Sequence, residues 1–303
     1  MYTAIILVLL FIGIRFLYFG IQKRTKGKIV TGGVVIALTA LFFLFMSFWG
    51  EKLWYDNIGF GDRFWIEIIT KTSMVIVGGG LGVLLVHLMT RSISKESMFH
   101  KYLALIIALI YGISWGLSDW EVVLKFFNSV NAGIQEPILN QDASLYMFKL
   151  PFYHQIVNFF IVISIISAAA VLLGIFAKET NSNAPSSDIT YGVREGKSLV
   201  YSGSVFFIAL ALDKLLARYD LLFSNWGAVS GPGWTDVHVR LPGYTIAAIL
   251  TFLVALIFIM PATRKRLLKY LQRFKIQVAS LLPAAVGSLF GVILIVWLLI
   301  LSI

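Results

Sequence analysis

The 303-residue chain contains no cysteine. This absence excludes disulfide bonds, cysteine-ligated iron–sulfur clusters, covalent haem attachment and cysteine nucleophiles. Charged residues are also scarce, at 13% of the chain against about 25% in an average soluble domain. Hydrophobic residues make up 59%, which excludes an intrinsically disordered chain and would leave a soluble fold with too much exposed apolar surface. A membrane protein with several spans is the interpretation that remains.

The net charge of +10 has two possible meanings, a nucleic-acid partner or a membrane topology signal. In membrane proteins Lys and Arg collect on the cytoplasmic side, where they also meet anionic lipid. We therefore expect membrane lipids as partners and no nucleic acid.

Eight apolar runs are long enough to cross the roughly 30 Å hydrocarbon core of a bilayer. Backbone amides in lipid must be paired within the span, and the alternating pattern of a barrel is lacking, so each run is predicted as a helix. We predict an all-α polytopic integral membrane helix bundle, a single transmembrane domain over residues 1–303 with interfacial helices and long outer loops. The predicted spans are residues 3–21, 29–49, 66–90, 102–117, 153–177, 199–216, 244–262 and 281–303.

The connecting segments differ in charge from one side to the other. Alternate segments carry 16 Lys and Arg residues on one side and 7 on the other. The positive-inside rule places the richer side in the cytoplasm. We therefore predict a multi-pass protein of the bacterial cytoplasmic (inner) membrane with both termini outside, and the segments on the outer face are longer and richer in aromatic residues, acids, Gly and Pro.

Aromatic residues are concentrated in residues 49–65, as is typical of an interfacial belt. Asn57 and the glycines after it predict a turn between two short interfacial helices. Ser118 and Glu121 form a capping-box pattern, which predicts a separate amphipathic helix lying on the outer leaflet or, alternatively, covering a cavity. The candidate interface aromatics are Trp54, Tyr55, Trp65, Tyr146, Phe148 and Trp234.

Two outer segments, residues 142–148 and 235–240, alternate polar with apolar residues. Because side chains alternate across a strand, we predict extended or re-entrant backbone, with Asp236, His238 and Arg240 on one face. These groups either pair with one another at the interface or surround a polar outer cavity. The candidate outer polar cluster is Asp142, Asp213, Arg218, Asp220, Asp236, His238 and Arg240.

Signals for chemistry are weak. The chain has no phosphate-binding glycine loop, no HExxH and no Gly-x-Ser-x-Gly motif. A haem could be held by His154 and His238, or a metal by Asp142, Asp236 and His238. The only support for either site is that its residues are predicted on the same side of the membrane. We assign no catalytic, cofactor-binding or metal-binding residue, and we do not expect an enzyme.

Small residues recur inside the third predicted span, where Gly78 and Gly82 lie four positions apart. Such spacing is typical of helices that pack closely in membranes. A helix break lining a transport pathway is the alternative interpretation.

Three outer stretches carry a resemblance to a known family. They are Leu53, Trp54, Tyr55, Gly59, Phe60, Phe64 and Trp65; Pro137, Ile138, Asp142, Ser144, Tyr146, Phe148, Leu150, Pro151, Phe152 and Tyr153; and Asp213, Arg218, Tyr219, Leu222, Gly231, Trp234, Thr235, Asp236, Val237, Leu241 and Pro242. Over most of residues 49–262 the chain resembles the uncharacterised bacterial membrane protein family UPF one-eight-two.

This resemblance implies an N-terminal membrane bundle followed by a large extracytoplasmic domain, and it supplies no activity. The chain ends at Ile303, where that domain would begin. We expect either a separate outer partner or a member that keeps only the membrane half.

Three functions fit the sequence. The first is a structural or accessory membrane protein that anchors or organises an extracytoplasmic partner or a larger complex, with another membrane protein or a second copy as further possible partners. The second is a transporter or lipid-handling protein with an outward polar cavity lined by Asp142, Arg218, Asp236 and Arg240. The third is a membrane enzyme acting on a lipid-linked substrate through Asp236 and His238. We favour the first, because motifs for transport and catalysis are lacking.

Overall fold

A computed structural model of the protein describes residues 2–93, 98–180, 189–225 and 231–260. Within these ranges the chain is helical and contains no β-strand, and its one extended pairing is an isolated bridge between Gln135 and Asp142. The α-helices are α1 (Tyr2–Gln22), α2 (Lys26–Asn57), α3 (Gly61–Met89), α4 (Met98–Phe127), α5 (Leu150–Thr180), α6 (Ile189–Asp220) and α7 (Leu241–Ile259).

All seven helices include a stretch long and apolar enough to cross a membrane. The predicted all-α bundle is therefore confirmed. The predicted eighth span, residues 281–303, lies outside the described residues, as does the end of the seventh.

Two helices run further than predicted. The helix α2 continues to Asn57, so the turn at Ile58 and Gly59 joins two long helices instead of two short interfacial ones. The helix α4 continues to Phe127, and the separate amphipathic helix predicted from Ser118 is wrong. No Gly or Pro separates Leu117 from the following residues, so the backbone amide bonds continue and a capping box inside a helix has no free amides to satisfy.

The predicted strand-like segments are also wrong over most of their length. Residues Leu145–Lys149 form a π-helix immediately before α5, and Asp236–Arg240 form a second one immediately before α7. Only Asp142 pairs in an extended bridge. Each π-helix leads into a Leu-Pro pair, with prolines at 151 and 242.

Proline explains these widened turns. It donates no backbone hydrogen bond, and its ring clashes with the carbonyl four residues earlier in a regular helix. The amide before each proline instead bonds the carbonyl five residues back, from Leu150 to Leu145 and from Leu241 to Asp236. The extra residue in the turn relieves the clash without ending the helix.

The chain divides into two compact units, Met1–Ile69 and Thr70–Ile303. In the first unit α1 and α2 form an antiparallel hairpin joined at glycines. A Cβ atom at Gly32 would lie 2.6 Å from the Leu17 amide nitrogen, and one at Gly20 would lie 2.7 Å from that of Ile29. The two backbones therefore touch, while large apolar side chains of both helices remain exposed, as expected of surfaces facing lipid.

In the second unit the C-terminal part of α3 crosses α4 at small residues. A Cβ atom at Gly82 would lie 2.7 Å from the Ala108 carbonyl oxygen, and Gly78 and Gly112 meet backbone to backbone. The close packing predicted for Gly78 and Gly82 is confirmed, since α3 continues through them without a break.

Beside that crossing, a buried apolar cluster joins α3, α4 and α5 through Val86, Ala108, Phe159 and Ile163. The helix α6 packs against both α5 and α7. The end of α4, the start of α5, the end of α6 and the start of α7 therefore lie at one end of the second unit. We call this end, together with residues 128–144, the loop face. The prediction of a single domain for the whole chain stays a prediction.

Candidate functional site

Residues 128–144 form a hairpin-like loop on the loop face. The amide of Glu136 donates to the carbonyl oxygen of Gln141 at 2.9 Å, and that of Ala143 donates to Ile134 at 2.9 Å. Asn140 closes the tip with φ of 54°, a left-handed conformation that asparagine tolerates better than most residues. The loop is thus ordered by its own backbone.

Asp142 fastens the base of this loop. Its Oδ1 accepts hydrogen bonds from the amides of Ala132 at 3.0 Å and Ser144 at 2.8 Å, and its Oδ2 accepts one from Gly133 at 2.9 Å. The Ser144 hydroxyl and these three amides lower the pKa of Asp142 to about 2, because they stabilise the ionised form. The carboxylate is a structural acceptor, already occupied by its own loop.

Glu136 fastens the tip in the same way. Its carboxylate accepts from the amides of Ile138 and Leu139, the latter at 2.7 Å, and from the Tyr146 hydroxyl at 3.2 Å. Tyr146 is only 8% exposed, and its ring lies 6.1 Å from the Tyr219 ring. Glu136 therefore connects the loop tip to the π-helix that precedes α5 and, through Tyr146, to α6.

Residues 234–242, which include the π-helix and lead into α7, carry a largely buried ion pair. Asp236 is 5% exposed; its Oδ1 accepts from Arg240 Nη1 at 2.9 Å, and its Oδ2 accepts from the Gly233 amide at 3.0 Å. His238 points elsewhere, with its ring stacked 4.4 Å from the Trp234 ring and its Nδ1 2.9 Å from the Trp234 carbonyl oxygen. The prediction that Asp236, His238 and Arg240 share one face is wrong, because a helical turn brings together residues four apart.

Two further pairs involve the C-terminal end of α6. His154 Nε2 lies 3.0 Å from Asp220 Oδ1, which connects α5 to α6. Lys214 Nζ lies 3.1 Å from Asp213 Oδ2. Most charges of the candidate polar cluster are therefore engaged with one another or with backbone amides.

Arg218 lines a small cavity between the loop tip, the end of α6 and the start of α7. The cavity measures about 10 Å³ and is otherwise lined mainly by apolar side chains, with Asp236 as its only acid. A single water needs roughly 10–15 Å³. The space holds one oxygen-sized atom and is far smaller than the 300–1,000 Å³ typical of ligand pockets.

The candidate aromatics separate into buried and exposed groups. Tyr146 is buried and Phe148 half-buried, whereas Trp234 is 72% exposed. In the first unit Tyr55 is half-buried and donates to Glu67 at 3.4 Å, while Trp54 and Trp65 are exposed.

Sequence reasoning missed Glu136 and His154 as organising residues. Glu136 had a local signal, because an acid before a proline turn can cap the amides that follow it. His154 had none, since its partner Asp220 lies 66 positions away. Among the described residues no group of three His, Asp or Glu side chains could hold a metal ion.

Comparison with known proteins places these observations in a family. The model of the uncharacterised protein family UPF0182 matches residues 28–300. A UPF0182 protein of Tropheryma whipplei, TW644, is 26% identical over 291 residues, covering 87% of this chain and 29% of that protein. A UPF0182 protein of Methanospirillum hungatei is 27% identical over 256 residues, covering 76% of this chain and 28% of that protein.

The chain thus spans less than a third of the length of these curated relatives. No solved structure matches it. The family match covers nearly the whole sequence, including the loop and both π-helices, and the chain belongs to the uncharacterised protein family UPF0182.

Proposed function

We propose that this chain is a membrane-embedded anchor that holds an extracytoplasmic protein through the loop face. The observation that carries the proposal is a loop that is ordered but apolar on its surface. Phe127 is 74% exposed, Val130 77% and Ile134 68%. Asp142 accepts hydrogen bonds from the amides of Ala132 and Gly133, immediately before Ile134. A preorganised surface of this kind loses little conformational entropy on binding a protein.

The length of the relatives supports the same proposal. In the curated relatives the matching segment is part of a chain more than three times as long as the segment itself. A protein domain beside the loop face is therefore the partner that we propose, in place of a small substrate. The cavity of about 10 Å³ beside Arg218 and Asp236 weighs against the transporter alternative, because it cannot admit a solute.

The lack of native cysteine makes a crosslinking experiment direct. Ile134→Cys and, as a control, Ile246→Cys would each carry a benzophenone maleimide in native membranes; Ile246 is 58% exposed on the apolar helix α7. We expect Ile134 to yield one saturable adduct with a second protein and Ile246 to yield none. Identical products at both positions, or an adduct with a second copy of the chain at Ile134, would contradict the proposal.

The same variant tests the predicted orientation. A membrane-impermeant maleimide should label Ile134→Cys in intact cells, whereas Lys26→Cys, near the α1–α2 turn, should react only after permeabilisation. The reverse pattern would place the loop face in the cytoplasm and exclude an extracytoplasmic partner.

A further inference from the structure

Arg218 differs from three other cations of the loop face in how its charge is met. His154, Lys214 and Arg240 each contact a carboxylate at 2.9–3.1 Å. Arg218 is half-buried, its Nε is buried without a hydrogen-bond partner, and no described carboxylate pairs with its guanidinium. A buried guanidinium nitrogen of this kind is stabilised by a hydrogen-bond acceptor, and most strongly by an anionic one.

Few acidic groups of the chain are placed to compensate the charge of Arg218. Asp236, the acid that lines the same cavity, already uses Oδ1 for Arg240 and Oδ2 for the Gly233 amide. The neighbouring sequence 226–230 reads WGAVS and contains no acid. An anion from outside the chain would therefore supply the acceptor that the Arg218 Nε lacks among the described residues.

We propose that Arg218 binds the phosphate group of a ligand at the loop face. The planar guanidinium matches phosphate through paired hydrogen bonds, and it loses hydration more readily than an ammonium group. The cavity has room for one oxygen atom, so one phosphate oxygen enters beside Nε while the rest of the group lies outward.

A phospholipid head group and free phosphate share this chemistry. Arg218 lies at the end of an apolar membrane helix, where head groups would lie, and Leu221 and Leu222 flank it in the cavity wall. The site is independent of any protein partner, so it can hold even if the anchoring proposal fails.

Native mass spectrometry of the purified full chain tests the site. After delipidation the protein would be titrated with phosphatidylglycerol, and in a separate arm its unfolding midpoint would be measured with inorganic phosphate against chloride at equal ionic strength. The variants are Arg218→Gln, Arg218→Lys and the control Lys125→Gln, whose exposed ammonium pairs with Glu121 at 3.4 Å on the same face.

We expect wild type and Lys125→Gln to retain one phosphatidylglycerol per chain. Arg218→Gln should bind this lipid about tenfold more weakly. Arg218→Lys should bind it about threefold more weakly, because lysine keeps the charge but loses the paired donors. A midpoint shift by phosphate that depends on Arg218, without lipid retention, would identify free phosphate as the source. Equal retention and equal midpoints in all four proteins would overturn the proposal. If Arg218→Gln fails to fold, lipid binding by Arg218→Lys is compared with that of wild type instead. Undiminished binding by Arg218→Lys would also overturn the proposal.

Discussion

Two segments follow the same backbone course: residues 143–151, which lead into α5, and residues 234–242, which lead into α7. They differ in where the acid that accepts hydrogen bonds from the first backbone amides is placed. Both have two α-helical residues, a five-residue π-helix and then a Leu-Pro pair. At α5 the acid precedes the helix: Asp142 accepts from the Ser144 amide. At α7 the residue before the helix is Gly233, and the acid Asp236, three positions inside, reaches back to its amide.

Each helix start thus uses one half of a capping box. The position of the acid also decides what else it can do. Asp142 lies outside the helix and gathers loop amides, whereas Asp236 lies inside and reaches Arg240 one turn later. The difference shows that the same π-helical turn before a proline can accompany two arrangements of the acid. In one the acid closes a loop, and in the other it forms an ion pair.

The largest expected effect comes from removing the acid at the α7 start. Asp236→Ala leaves the Gly233 amide without its acceptor and removes the carboxylate from Arg240, which is 15% exposed. Losing one partner of a largely buried charge pair costs about 3 kcal/mol. A lowered thermal unfolding midpoint in detergent would show this; Asp236→Asn, which can still cap Gly233, should lose less, and equal losses would argue against the ion pair.

The corresponding change at the α5 start should act locally. Asp142→Ala removes the acceptor of the Ala132, Gly133 and Ser144 amides. We expect at least tenfold faster hydrogen exchange at these amides and a smaller midpoint change than for Asp236→Ala. Protection that is unchanged in the loop would show that Glu136 alone orders it.

Replacing the prolines tests why the turns are widened. Pro151→Ala supplies an amide that can bond the Met147 carbonyl, so the π-helix should revert to α-helix and rotate residues 145–149 relative to α5. Met147 is 66% exposed, and the maleimide reactivity of Met147→Cys should change several-fold in the Pro151→Ala background. Pro242→Ala, which leaves α5 intact, is the matched control and should leave that reactivity unchanged.

The smallest effect concerns pH. The pKa of Asp142 is lowered from 3.8 to about 2, so its contribution to stability is complete above pH 3.8 and is lost as the pH falls toward 2. The rate of loop cleavage by pepsin, divided by its rate on an unfolded peptide at the same pH, should therefore rise between pH 4 and pH 2 in wild type. Asp142→Asn should show no such rise in this ratio, and parallel profiles would assign the titration to another group.

The sequence was enough to predict the seven spans that lie in the described part of the chain, because apolar runs of this length leave few alternatives to a membrane helix. It also predicted the glycine contact, since Gly78 and Gly82 share one helix face. It failed at residues 235–240, where Asp236 and Arg240 fit both a two-residue alternation and a helical spacing of four. The structure is helical there because Pro242 is accommodated by a π-helical turn. Predicting that turn requires the hydrogen-bond geometry of all its residues, which the sequence pattern does not contain.

The candidate site was predicted as a set of residues but not as an arrangement. Asp142 and Asp236 were identified, yet their acceptor roles depend on loop amides that sequence periodicity does not locate. The pair of His154 and Asp220 forms only when α5 and α6 are packed. Long-range pairs of this kind have no local signature.

The meeting of Gly78 and Gly112 in the α3–α4 crossing limits how the family can diverge. With two backbones in contact, even a methyl group at either position would push the helices apart, and a compensating change would have to move a whole helix. Homologous chains that keep this crossing should therefore conserve glycine at both positions, while the lipid-facing positions of the same helices exchange freely among Leu, Ile, Val and Phe.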